Sequence, residues 1–128
     1  MGKILRKRFD LPTVQNDGDS AKETFELDKH TERVTGIIFT ADREDMLFVR
    51  GTVGVLINGE EVIPEGYHTK LLMSGLGVAP KDKYLPLDLD PGNGILKVSY
   101  QDVSTAILPF SSYTVSVYVE YEIDENAA

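Results

Sequence analysis

Tyr113-Thr114-Val115-Ser116-Val117-Tyr118-Val119-Glu120-Tyr121-Glu122-Ile123 alternates without a break. Val115, Val117, Val119, Tyr121 and Ile123 fall on one side of an extended chain. Thr114, Ser116, Tyr118, Glu120 and Glu122 fall on the other. Successive side chains of a strand point to opposite faces, so this stretch predicts a long strand with one buried and one wet face.

Working back from it, residues 95–100 read as another strand, behind the dense turn cluster Asp90-Pro91-Gly92-Asn93-Gly94. Residues 104–108 could add a short strand, ended by Pro109. Residues 84–89 alternate weakly around Pro86, and a proline without an N–H belongs on an edge strand. Asn58-Gly59 is the strongest local signal. It sits between Val55-Leu56-Ile57 and Glu60-Glu61-Val62-Ile63, and both its residues tolerate the positive φ of a type I′ hairpin turn. Pro64-Glu65-Gly66 then predicts a further turn, and 67–73 a strand closed by Ser74-Gly75 and Gly77, with a loop at 80–83. On the other side of the hairpin, 52–57 and 46–49 carry β signal, with Gly51 and Gly54 as bulge positions. Residues 41–45 read as a charged turn, 33–40 as a more buried strand and 23–27 as a half-buried one. The polar run 15–20 is a loop.

No segment holds a 3.6-residue period over ten or more positions. Eight to ten short strands separated by frequent turns predict an all-β fold, an antiparallel two-sheet sandwich of jelly-roll type. An immunoglobulin-like sandwich is the alternative, although the chain lacks tryptophan and a cysteine pair. The organisation expected is a basic N-terminal arm or first strand at 1–9, one sandwich domain at 10–123, and an acidic tail at 124–128.

The 128 residues suit one domain, and 41% hydrophobic residues are enough for a core. The absence of cysteine excludes disulfides, thiolate metal sites and a cysteine nucleophile. No apolar run approaches the length of a bilayer span, and no apolar stretch follows the first basic residues as in a secretory signal. Synthesis in the cytosol without a signal peptide is the expectation. Arg6 stands where a myristoylation motif needs Ser or Thr. A net charge of −8 disfavours general nucleic-acid binding. The charge is uneven: Lys3, Arg6, Lys7 and Arg8 open the chain, and no basic residue follows Lys97.

Several groups invite a chemical reading. Asp88, Asp90 and Asn93 could converge on calcium, which prefers oxygen ligands on a tight loop. An EF-hand counted from Asp88 would need Glu where Ser99 stands, and β-turn chemistry by Asp90 and Asn93 accounts for the same residues. His30 and His68 show no metal-ligand spacing. Met73-Ser74-Gly75 lacks the preceding glycine of a nucleophile elbow, and Gly75-Leu76-Gly77 leads into no helix that could cradle phosphate. The carboxylate pairs Glu60/Glu61 and Glu120/Glu122 fit a solvated edge as well as they fit hydrolytic chemistry. These readings point away from an enzyme and imply no cofactor. Tyr118, on the polar face, is either a rim residue or part of an interface. The arm Lys3-Ile4-Leu5-Arg6-Lys7-Arg8-Phe9 is the main functional lead. It is either the domain's own first strand or a segment that adds to a neighbour's sheet or docks on an acidic surface.

A basic arm leading into a cysteine-free, acidic sandwich, with the tight turn at Asn58-Gly59, the loop at 90–94 and the long strand at 113–123, resembles small virion proteins of bacterial viruses. That resemblance implies a jelly roll assembling by rotational symmetry, with terminal arms reaching neighbours. The function expected is a non-enzymatic structural subunit (capsid, vertex or decoration protein). Its interface set is Lys3, Arg6, Lys7, Arg8, Phe9 and Tyr118, and its partners are copies of itself or other structural proteins, with nucleic acid touched only through the arm. The alternative is a sandwich module that recognises a glycan or a protein through its loops or an exposed sheet face.

Overall fold

A computed structural model describes residues 2–73 and 84–124 of the chain. The elements, in order, are β1 (Gly2–Asp10), β2 (Ser20–Glu26), β3 (Thr31–Ala41), helix α1 (Glu44–Arg50), β4 (Gly51–Ile57), β5 (Glu60–His68), a 3-10 turn (Thr69–Leu72), β6 (Leu85–Leu89), β7 (Ile95–Asp102) and β8 (Val115–Asp124). Two four-stranded antiparallel sheets form, ordered β1-β8-β3-β6 and β2-β7-β4-β5.

Four of the pairings decide the topology. β1 pairs β8, β2 pairs β7, β3 pairs β6 and β4 pairs β5. A long hairpin whose two arms each break into four strands and roll up together gives this nested set, which is the jelly roll. The immunoglobulin alternative is excluded, because its sheets group strands ABED and CFG.

The long C-terminal strand lies inside its sheet, with β1 on one side and β3 on the other. Its Val115, Val117 and Val119 are fully buried, and Tyr121 and Ile123 nearly so. They meet Val53, Val55, Leu96, Val98 and Tyr100 of the second sheet in one core. β1 lies over β2, where the Phe9 and Phe25 rings are 4.7 Å apart. β1 and β2 therefore border one side of the sandwich, and β6 and β5 the other.

Residues 2–10 are a strand of this domain, paired to β8 from Gly2↔Asp124 to Asp10↔Ser116. Asn58 and Gly59 take φ of 55° and 76°, the left-handed values a type I′ hairpin requires. Pro86 does lie on an edge strand. Four local expectations fail. Residues 46–49 are helical, because Met46, Leu47 and Arg50 bury one side of a single short helix whose seven residues are too few to display a period. Pro64–Gly66 does not end a strand: these residues bulge within β5, opposite Gly54 alone, since Val53 pairs Tyr67 and Val55 pairs Ile63. A side chain at Gly54 would lie 2.9 Å from the Glu65 backbone. The strand expected at 67–73 therefore stops at His68 and gives way to the 3-10 turn, and 104–108 is irregular. The glycines at 75 and 77, the loop at 80–83 and the tail beyond Asp124 lie outside the described residues.

Candidate functional site

The β1–β2, β3–β4 and β7–β8 connections come together at one end of the sandwich, around Arg50. Its side chain is 1% exposed. Arg50 Nε and Nη2 donate to the two carboxylate oxygens of Asp102 at 2.9 and 2.8 Å, a bidentate fork. Nη1 donates to the Leu108 carbonyl at 2.7 Å, and Nη2 also reaches Asp17. The Phe110 ring lies 5.4 Å from the guanidinium. The Tyr113 hydroxyl donates to Asp102 at 2.6 Å and shares a 2.7 Å bond with the Tyr100 hydroxyl, while the Gly18 N–H gives Asp102 a fourth bond.

Burial by itself would raise the Asp102 carboxyl. The Arg50 fork, the Tyr113 hydroxyl and the Gly18 N–H outweigh it and hold the group below the ordinary aspartate value. The Arg50 guanidinium is raised, chiefly by its bonds to Asp102. Burial, then the bonds to Asp102 and Tyr100, push the Tyr113 phenol up. Every member is thus held in the charge state its neighbours need, and the network ties the connections to one another. Thr69, fully buried, adds the 3-10 turn by donating its hydroxyl to the Leu47 and Gly51 carbonyls.

Over this rigid base sit apolar side chains in water. Among the described residues, six large hydrophobics are exposed: Ile4, Phe48, Val49, Leu71, Val103 and Ile107. All but Ile4 belong to this end. Phe48 and Val49 are on α1 and Leu71 is on the 3-10 turn packed against it. Val103 donates its N–H to the Arg50 carbonyl, and Ile107, 84% exposed, precedes the Leu108 that Arg50 holds. Contiguous exposed apolar surface marks interaction sites in soluble proteins. None of these residues was in the expected interface set. The signal for them was weak: Phe48 and Val49 follow the buried Met46 and Leu47 and resemble more strand core.

The expected interface residues divide. Phe9 is 7% exposed and its ring lies tilted against Phe25, so it is a core side chain and not an interface residue. Arg6 pairs with Glu120 at 3.0 Å and lies 5.0 Å over the Tyr84 ring; Arg8 pairs with Asp10 at 2.7 Å. Lys3 and Lys7 are exposed and make no ion pair within the described residues. Tyr118 is half-buried on the outer face of the first sheet, in register between Arg8 and Ile38. With Arg8, Thr40, Ala41, Asp42, Thr114 and Ser116 it lines a shallow recess of about 450 Å³.

The metal candidates do not converge. Asp88 bonds to Arg33, Asp90 accepts the Gly92 N–H and Asn93 accepts the Ile95 N–H, the last two being β-turn contacts. Asn58 accepts the Asn93 N–H, which locks this turn to the hairpin. Among the described residues no three His, Asp or Glu side chains gather as a metal site would require. His30 lies in the β2–β3 turn and His68 ends β5, so the two are at opposite ends of the molecule.

No protein-family model matches the chain, and no curated protein sequence matches it. A jelly roll hosts many unrelated functions, so its role has to be argued from these surfaces.

Proposed function

We propose that this chain is a structural subunit, a capsid, vertex or decoration protein of a virion, that works by binding copies of itself or other structural proteins. The observation that carries this reading is the exposure of Phe48, Val49, Leu71, Val103 and Ile107, all carried by α1, the 3-10 turn and the β7–β8 connection at one end of the fold. Fully burying one such side chain contributes about 1.5–3 kcal/mol. Several together can offset the roughly 4–15 kcal/mol of translational and rotational freedom lost on association. The Arg50–Asp102 network beneath them keeps the connections in one shape, which lowers the ordering cost of a contact.

The test is native mass by light scattering across protein concentration, for the natural chain and for a Phe48→Asp/Ile107→Asp variant. A discrete assembly that the double substitution reduces to smaller species supports the reading. A natural chain that stays monomeric at the highest attainable concentration sinks it.

A second reading is favoured by the recess around Tyr118, whose hydroxyls, Arg8 and one aromatic ring suit a sugar. A glycan array followed by titration of the Tyr118→Ala protein decides that case. Binding that the substitution abolishes supports it, and an array without hits removes it.

A further inference from the structure

Among the described residues, the two sides of the sandwich carry opposite charge. β1 presents Lys3, Arg6, Lys7 and Arg8 against a single acid, Asp10. Its neighbour β2, with Lys22, Glu23 and Glu26, is close to neutral. Across the molecule, β5 carries Glu60, Glu61 and Glu65 with no Lys or Arg, and β6 and the turn after it carry Asp88 and Asp90. Arg33 neutralises Asp88. Lys3 and Lys7 on one side, and Glu60, Glu61 and Glu65 on the other, are exposed and have no ion-pair partner within the described residues.

β1 is also an edge strand, and its nine residues contain no proline. Two copies meeting through β1 about a two-fold axis would bring together two strands that each carry four basic residues and one acid. Like charges across a contact are unfavourable, so β1 is poorly suited to pair with itself. The acidic β5/β6 side of another copy is the complementary surface within this same chain.

We infer that the β1 side of one copy docks against the β5/β6 side of a second copy. Such a contact is heterologous and head-to-tail, so each subunit uses both sides and the series closes into a ring or continues as a filament. This rests on the structural-subunit reading and names its partner and its lateral surface. It leaves the apolar end of the sandwich free for a different contact.

The experiment is sedimentation velocity at low and high salt on four full-length proteins. These are the natural chain, Lys3→Glu/Lys7→Glu, Glu60→Lys/Glu61→Lys, and the protein with all four changes. All four positions are exposed, and unfolding midpoints serve as the folding control. Each reversal alone should weaken self-association by roughly tenfold or more at low salt. Added salt should weaken the natural assembly, and the fourfold variant should recover it. Equimolar mixing of the two double variants should also restore assembly, because each supplies the charge the other lacks. An assembly indifferent to both reversals and to salt overturns the lateral contact and leaves the structural reading standing. A monomeric natural chain removes both.

Discussion

Replacing Asp102 by asparagine removes one charge and almost no volume, and it should cost about 3–5 kcal/mol of stability. Asp102 accepts four hydrogen bonds: two from Arg50, one from the Tyr113 hydroxyl and one from the Gly18 N–H. An asparagine has one oxygen to offer them, and its amide nitrogen faces donors. Arg50 stays charged and 1% exposed, with only Asp17 left as a carboxylate, and Asp17 is itself 53% exposed. A urea slope of about 2 kcal/mol per molar converts that cost into a midpoint lowered by roughly 1.5–2.5 M. The assay is urea unfolding followed by circular dichroism at one fixed protein concentration, with Arg50→Met/Asp102→Leu as the second arm. Deleting both charges removes the buried unpaired cation, so the double variant should be more stable than Asp102→Asn. A midpoint shift under about 0.5 M for Asp102→Asn would refute the assignment of the loop end's rigidity to this pair. A double variant that loses the sum of its two single changes would refute the coupling.

Other substitutions probe the remaining joints. Gly51→Ala puts a carbon 2.5 Å from both the Thr69 and Tyr100 side-chain oxygens and 2.7 Å from the Leu47 carbonyl, so it should lose about 1–3 kcal/mol in the same unfolding assay. Gly59→Ala forces a side chain into φ of 76° and should cost roughly 1–2 kcal/mol without altering assembly mass. Asp102 and Asp10 both titrate below their ordinary value of 3.8, Asp10 through its bonds from Ser116 and then Arg8. A lowered folded value stabilises the protein above the unfolded aspartate range and loses that contribution as pH falls through the folded value. The unfolding midpoint should therefore be flat near neutrality and fall below about pH 4, less steeply for Asp102→Asn.

Much of the framework was legible because it is written in local patterns. The alternation through Ile123 gave β8 its buried face, Asn58-Gly59 marked the hairpin, and Pro86 marked an edge. The helix was not legible, since seven residues with Met46, Leu47 and Arg50 inward resemble a strand to any test of period. The bulge at Pro64–Gly66 was read as a turn because a proline and a left-handed glycine serve both purposes, and only the pairing to Gly54 separates them. The Arg50–Asp102 pair joins positions 52 residues apart, which no local pattern reports. One hint was available: Leu96, Val98, Tyr100 and Asp102 are alternate residues of β7, so the strand's own period carries a carboxylate into the interior. The basic first segment was legible as a strand or an arm, and it is a strand, with Phe9 turned inward by its place opposite Val117.

The nested pairing also sets the order in which the molecule can be finished. The hairpin β4–β5 closes across two residues and can form early. Lys3 and Ile123, which pair in the finished sheet, are 120 positions apart. Contacts of that separation make folding slow, because the chain loses the entropy of a long loop before they form. β8 is the last of the eight strands to be synthesised, yet it stands between β1 and β3. Until residue 124 has left the ribosome, β1 and β3 each lack the strand that joins them, and both offer open edges to other chains. The chain is then most exposed to mispairing during synthesis, before β8 can slot in and seal the sheet.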